Sequence, residues 1–152
     1  MREELMKVGE RKPGVYFEDV EMGEEIPALV KQITTVSMAM YAAATWDFHR
    51  YHHDMEYAQG KGMRAQFLDG QQMGGYLAQL VTDWAGVGGT LKRLSFRYGD
   101  FVFPGDTLTC KGKVSGKGQC GVVECEVWIE NQHGTRVLKS GKAIVELPLR
   151  KG

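Results

Sequence analysis

Apolar side chains between residues 70 and 84 recur every three or four positions, which is the spacing of one face of an α-helix. The stripe consists of Met73, Tyr76, Leu77, Leu80, Val81 and Trp84. Asp69, followed three residues later by Gln72, predicts a capping box at the start of this helix, and Gly86 and Gly88 predict its end. We therefore expect one long helix with a single buried face.

Two adjacent glycines, Gly74 and Gly75, fall inside this helix. Each of them costs about 1 kcal/mol relative to alanine in a helix interior. We expect a strand or a ligand to approach the bare backbone at this point.

Beyond residue 90 apolar and polar positions alternate, which is the period of half-buried strands. Strands are predicted over residues 91–98, 107–114, 122–129 and 136–147, with turns at FPGD, SGKGQ and NQHG. Such short connections favour antiparallel neighbours, because a parallel pair needs a crossover of roughly a dozen residues.

Upstream of the long helix, the pattern predicts three shorter elements. They are a strand over residues 29–35, a helix over residues 36–45 with Ser37 as a cap, and a helical turn from Asp54 to Ala58. The complete order predicts an α+β fold in which one antiparallel sheet wraps around the long central helix. The outer face of the sheet would then be free for dimer contacts.

The composition is that of one globular domain, with 152 residues and 43% hydrophobic side chains. We expect a flexible N-terminal arm over residues 1–14 and the domain over residues 15–152. The 19 basic side chains balance the 19 acidic ones, which argues against nucleic acid as a partner. No apolar run is long enough to cross a membrane, and the charged N-terminus lacks a leader pattern, so a cytoplasmic location is the expectation.

Three cysteines, Cys110, Cys120 and Cys125, form an odd set without CxxC spacing. This pattern favours neither a disulfide framework nor a zinc knuckle. Cys110 and Cys125 lie in alternating apolar runs and are predicted to be small core residues.

The stretch TWDFHRYHHDMEYA, residues 45–58, holds three of the four histidines within five residues. These side chains suit a metal site, a catalytic acid/base pair or a polar surface loop. Asp47 and His52 lie in a predicted loop, where a carboxylate and an imidazole that share one water can take a proton from it and return one elsewhere. A zinc site at His49, His52 and His53 is not expected, because adjacent histidines project differently and no cysteine completes it.

The start of the long helix offers a second chemical group. The Gly70 N–H points out of the positive end of the helix dipole, where a developing oxyanion is stabilised. The alternative is that Asp69 and Gly70 only begin a core helix.

Three motifs together resemble the MaoC-like acyl dehydratases, which include the (R)-specific enoyl-CoA hydratases of the hot-dog superfamily. The family's G-D-x-N-P-[LIV]-H loop stands here as W-D-F-H-R-Y-H, residues 46–52, and its H-G-M stands as D-G-Q, residues 69–71. LVTDWAGVGGTLKRLSFRYGDFVFPGDTL is similar to its L-x-x-W-x-G, R-F and P-V-F-x-G-D-T-L pattern. The resemblance covers roughly residues 15–147 and implies a single hot-dog fold.

The resemblance also implies an activity: syn addition of water to a trans-2-enoyl thioester of CoA or acyl carrier protein, or the reverse. Asp47 and His52 would then activate the water, and the Gly70 N–H would polarise the thioester carbonyl. No metal or redox cofactor is implied. An expected homodimer or higher homo-oligomer would hold the CoA cleft between protomers, with a heteromer containing a second hot-dog subunit as the alternative.

Four further residues are candidate substrate contacts. Phe48 and Tyr51 either line an acyl tunnel or pack against the loop. Arg93 and Arg97 either meet the CoA phosphates or belong to a solvated strand face.

Several positions depart from the family pattern, namely Trp46 at its glycine, His49 and Arg50 at its asparagine and proline, and Asp69 at its histidine. Two other functions therefore stay open. One is a hot-dog thioesterase, for which the Asp47 and His52 pair has no evident use. The other is a non-catalytic or co-catalytic subunit that completes a partner's site. Loss of Asp47 or His52 would have favoured this alternative, and both are present.

Overall fold

The computed structural model describes residues 14–150, in which the chain forms five strands and three α-helices. The strands are β1 (Glu25–Gln32), β2 (Thr90–Ser95), β3 (Thr107–Lys117), β4 (Val122–Glu130) and β5 (Arg136–Glu146). The helices are α1 (Thr35–Thr45), α2 (Met55–Gly60) and α3 (Gly70–Ala85). The arm predicted over residues 1–14 lies, apart from Gly14, outside the described residues.

The strands form one antiparallel sheet in the order β1-β3-β4-β5-β2, which curls around α3. The face of α3 that meets the sheet carries the predicted stripe, with Leu77 and Val81 fully buried and Tyr76 partly exposed. Opposite it, alternate residues of β4 are buried: Val123, Cys125, Val127 and Ile129. Each fully buried aliphatic side chain stabilises the fold by roughly 1.5–3 kcal/mol. The sheet wrapped around a long helix confirms the predicted α+β architecture.

The two edge strands differ most from their predicted limits. β1 begins at Glu25 and runs through Pro27 to Gln32, whereas the sequence predicted a strand over residues 29–35. The pairing with β3 shifts register between Ile26 and Leu29, and a bulge in an edge strand tolerates a proline that cannot donate a hydrogen bond. β2 ends at Ser95, and Tyr98 is joined to β5 by a single bridge to Leu138.

The helix caps correct two predictions. Thr34, not Ser37, is the N-cap of α1, and the two side chains form a capping box. Asp69 caps α3 by accepting from the Gln71 N–H at 2.8 Å. The capping box predicted with Gln72 is not formed, because its side chain is buried and donates to the Tyr76 hydroxyl at 2.8 Å.

The two helix glycines have different surroundings. A Cβ on Gly74 would lie 2.5 Å from the Phe96 ring, so the predicted close approach is correct there. Among the described residues, nothing lies within 4 Å of a Cβ on Gly75, so the same prediction is wrong for that position.

The outer face of the sheet is charged. Four Lys–Glu pairs cross neighbouring strands: Lys111 with Glu130 at 2.7 Å, Lys113 with Glu126 at 3.1 Å, Lys142 with Glu124 at 2.7 Å, and Lys92 with Glu146 at 2.8 Å. Each side chain stays partly exposed, which is typical of a solvated face.

Cys110 and Cys125 point inward, as predicted, and burial raises the pKa of each thiol to about 12. Over the part of the chain that the structure describes, no helix combines the length and apolarity required to traverse a bilayer.

Candidate active site

Asp47 follows a sharp turn of the chain at the end of α1. Trp46 ends α1 in the left-handed conformation with φ 58°, at the position where the resembled family has glycine. Non-glycine residues enter this region at a cost of roughly 1–2 kcal/mol. One carboxylate oxygen of Asp47 accepts from the His49 N–H at 3.2 Å, so the turn fixes the direction of this side chain.

His52 lies at the end of a short 3-10 turn, Arg50–His52, and is held from the opposite side of the loop. Its Nδ1 is 2.8 Å from the Phe67 carbonyl oxygen, and the Phe67 ring meets the imidazole edge-on at 5.4 Å between centroids. A carbonyl oxygen only accepts hydrogen bonds, so the proton of a neutral His52 ring lies on Nδ1 and Nε2 keeps its lone pair.

The two neighbouring histidines stabilise the loop. His53 Nε2 lies 2.9 Å from the Phe48 carbonyl oxygen. His49 accepts from the Tyr51 N–H and stacks on the Tyr51 ring at 5.1 Å. Asp54 caps α2, accepting from the Tyr57 N–H at 2.9 Å and pairing with Arg50 at 2.8 Å. These contacts explain much of the polar clustering that the sequence shows.

Asp47 and His52 meet a third side chain, Asp69. A carboxylate oxygen of each aspartate and a ring nitrogen of His52 all lie within 4.8 Å of one another, and all three residues are partly buried. A water that makes hydrogen bonds of about 2.8 Å fits between groups at this spacing. The spacing of these three side chains is also compatible with a divalent cation, whereas the sequence had considered only the three clustered histidines as metal ligands.

The Gly70 N–H opens α3 beside this cluster. The Asp69 side chain accepts from Gln71 and leaves the first N–H of the helix without an intrahelical acceptor. Within residues 14–150, no backbone carbonyl accepts from it. The donor predicted from sequence is therefore free and lies at the positive end of a helix of 16 residues.

A cavity of about 460 Å³ opens next to Gly70. Its wall includes Asp69, Gly70 and Tyr98, together with the apolar side chains Phe67, Leu68, Met73, Phe101 and Val102. The cavity is therefore polar at the start of α3 and apolar along the rest of its wall.

The four predicted substrate contacts lie outside the wall of this cavity. Phe48 is exposed and meets Trp46 edge-on at 5.9 Å. Tyr51 packs against Phe67 at 5.2 Å between centroids. Arg93 and Arg97 are exposed, on β2 and just after it.

Tyr41 was not singled out by the sequence, although it reaches the same place from α1. Burial raises the pKa of its phenol, and the charges of Asp69 and Asp47 and the phenols of Tyr98 and Tyr76 raise it further. The Tyr41 hydroxyl therefore keeps its proton at neutral pH. The sequence feature that could have drawn attention to Tyr41 was its position on the helix that leads into Asp47.

Comparisons with known proteins agree with this fold. A family model described as a MaoC like domain matches residues 20–135. The beta subunit of 3-oxo-4,17-pregnadiene-20-carboxyl-CoA hydratase from Mycobacterium tuberculosis is 30% identical over 129 residues, which is 85% of this chain and 96% of that protein.

Solved structures show the same fold. R-hydratase PhaJ1 from Pseudomonas aeruginosa superimposes with a TM-score of 0.83 at 22% identity, over 90% of this chain and 88% of that one. The ChsH1-ChsH2 complex from Mycobacterium tuberculosis gives a TM-score of 0.78 at 26% identity, over 84% of this chain and 98% of the matched chain.

The sheet wrapped around α3 defines a hot-dog protein. The chain belongs to the MaoC-like dehydratase family.

Proposed function

We propose that this chain adds water to the 2,3 double bond of an enoyl thioester, or removes it in the reverse direction. The observation that carries this proposal is that side-chain atoms of Asp47 and His52 lie within 4.8 Å of the carboxylate of Asp69, the residue that directly precedes the Gly70 N–H. Hydration of an enoyl thioester needs these two things together, namely a held water and a donor for the carbonyl oxygen.

Asp47 and the Nε2 atom of His52 hold one water between them. One proton leaves this water for the pair as the water oxygen bonds to the β-carbon, and the π electrons move towards the thioester to give an enolate. The pair then returns one proton to the α-carbon. One C–O and one C–H bond have formed, one O–H and one C–C π bond have broken, and both residues regain their starting state.

The enolate places negative charge on the thioester oxygen, and the Gly70 N–H stabilises that charge. Loss of one such donor typically costs about 10²–10³ in kcat. Asp69 precedes Gly70 and lies in the same cavity wall, so its carboxylate would oppose negative charge on an oxygen bound at the Gly70 N–H.

The substrate that fits is an acyl thioester of CoA or acyl carrier protein. The apolar wall formed by Phe67, Met73 and Phe101 suits an acyl chain, and the polar end at Gly70 suits the thioester. Arg93 and Arg97 remain candidates for the phosphates, and Phe48 and Tyr51 for acyl contacts, across an interface with a second subunit.

A second candidate is a co-catalytic subunit of a heteromeric hydratase. One finding favours it: the relative at 30% identity is itself called a beta subunit. In that case the partner would be another hot-dog chain, and full activity would require both proteins.

The test is loss of the conjugated-enoyl absorbance when the purified protein meets short, long and cyclic trans-2-enoyl-CoAs. Asp47→Asn should abolish hydration, while Asp83→Asn, which alters an exposed carboxylate on α3, should not. A folded wild-type protein that hydrates no member of the panel would exclude a stand-alone hydratase. Activity that appears only with a second hot-dog chain would establish the heteromeric form.

A further inference from the structure

The ring of Tyr98 lies directly on Gly70. A Cβ built on Gly70 would be 2.6 Å from Tyr98 Cε1 and 2.9 Å from its hydroxyl oxygen. Any side chain at position 70 would therefore collide with this ring, which gives a packing reason for the glycine in addition to its free N–H. Tyr98 is 56% exposed, so its position is not explained by burial of the ring.

We propose that the Tyr98 hydroxyl is the second hydrogen-bond donor to the thioester oxygen, beside the Gly70 N–H. This inference deepens the proposed hydratase function and rests on it. By standard covalent geometry a Cβ lies about 2.5 Å from its own amide nitrogen, so the hydroxyl oxygen and the Gly70 nitrogen are at most about 5.4 Å apart. One oxygen atom can then lie within about 2.7–3.1 Å of both donors.

The surroundings of Tyr98 hold the ring in this position. Its backbone bridges to Leu138 of β5, and the Phe96 ring meets it at 5.6 Å with an interplanar angle of 68°. Tyr98 and Gly70 both belong to the wall of the 460 Å³ cavity. The hydroxyl is therefore presented at the polar end of the space assigned to the thioester.

The negative charge of Asp69 is a reason for a second hydrogen-bond donor at this site. Asp69 lies in the same cavity wall as Gly70 and Tyr98, and its carboxylate opposes an enolate there. A phenol donates a hydrogen bond without carrying a formal charge, and two donors share the negative charge on one oxygen. Tyr98 thus offsets part of the repulsion from Asp69.

The test compares Tyr98→Phe, which removes only the hydroxyl, with Tyr16→Phe, which alters another exposed tyrosine that lies under Arg150. Tyr98→Phe should lower kcat about 10²-fold with little change in KM, whereas Tyr16→Phe should match the wild type. Thermal unfolding of both variants should match the wild type, because the ring is retained.

A second readout does not depend on turnover. The infrared carbonyl stretch of a bound saturated acyl-CoA, ¹³C-labelled at the thioester carbon, should move to higher frequency in Tyr98→Phe, because a lost hydrogen bond strengthens the C=O bond. Wild-type kcat together with an unchanged stretch in Tyr98→Phe would overturn the inference and leave the hydratase function standing. A wild type without hydratase activity would overturn that function, and the stretch alone would then decide whether Tyr98 contacts the thioester.

Discussion

The Nδ1 atom of His52 lies 2.8 Å from the carbonyl oxygen of Phe67, a residue fifteen positions further along the chain. This bond ties the loop after α1 to the segment that leads into α3. It fixes the orientation of the imidazole, so that Nε2 is directed away from Phe67 and is free to handle a proton. The orientation of His52 in the proposed catalytic pair therefore depends on the backbone carbonyl of Phe67.

The two ring nitrogens of His52 can be tested separately. In His52→Asn the side-chain amide can replace Nδ1 as the donor to Phe67 but offers no base at the Nε2 position. We expect kcat/KM to fall at least about 10²-fold while the melting temperature stays near that of the wild type. His52→Gln reaches the Nε2 position and leaves the Phe67 carbonyl unpaired, which should lower the free energy of unfolding by about 1 kcal/mol. Hydration by His52→Asn at the wild-type rate would remove His52 from the mechanism.

The charge on Asp69 gives a second prediction. Asp69→Asn keeps a good N-cap for α3 and removes the negative charge next to the Gly70 N–H. Because that charge opposes the enolate, we expect kcat to rise several-fold, with the free energy of unfolding changed by less than about 0.5 kcal/mol. Steady-state kinetics and urea denaturation measure the two effects. A tenfold loss of kcat would instead mean that the Asp69 carboxylate takes part in proton transfer.

Gly74 and Gly75 form a matched pair for stability. Gly75→Ala places a methyl group in open space on an exposed helix position and should stabilise the protein by about 0.5–1 kcal/mol. Gly74→Ala drives a methyl group into the Phe96 ring and should destabilise it by about 1–3 kcal/mol. Urea denaturation of the two variants gives both values. Equal effects of the two substitutions would contradict the described approach of Phe96 to α3.

The ionisation of Asp54 makes the stability of the fold depend on pH. The N–H of Tyr57 and the guanidinium of Arg50 hold the pKa of this carboxyl below its ordinary value of 3.8. A lowered pKa in the folded state means that the ionised side chain stabilises the fold above pH 3.8, and that this contribution is lost as the pH falls through the folded-state pKa. Asp54→Asn should therefore unfold at a lower temperature than the wild type at pH 7, and the difference should shrink towards pH 3. A difference that stays constant over this range would refute the assignment.

The sequence predicted the architecture well because periodicity reports which face of an element is buried. The buried residues of the stripe on α3 and of the alternation along β4 belong to one apolar core cluster among the described residues. The structure brings Asp47 and His52 together, as expected for two residues of one short loop, and their catalytic role stays a prediction.

Features that depend on packing between distant segments were not predictable. Gln72 has the identity and spacing of a capping-box residue, yet its side chain is buried, where it contacts the Tyr76 hydroxyl and the Ser37 carbonyl of α1. Asp69 and Tyr98 meet at Gly70 only because the chain leaving β2 folds back over the start of α3. Nothing in the local sequence around Tyr98 indicates that contact.

The most direct test of the central claim is the fate of labelled water. The purified protein is given a trans-2-enoyl-CoA in H₂¹⁸O, and the products are analysed by mass spectrometry. The proposed chemistry predicts one ¹⁸O atom on the acyl chain of an intact 3-hydroxyacyl thioester, and no label in the product mixture when Asp47→Asn is used. Label in the carboxylate of a free acid, together with released CoA, would contradict the hydratase account and establish a thioesterase instead.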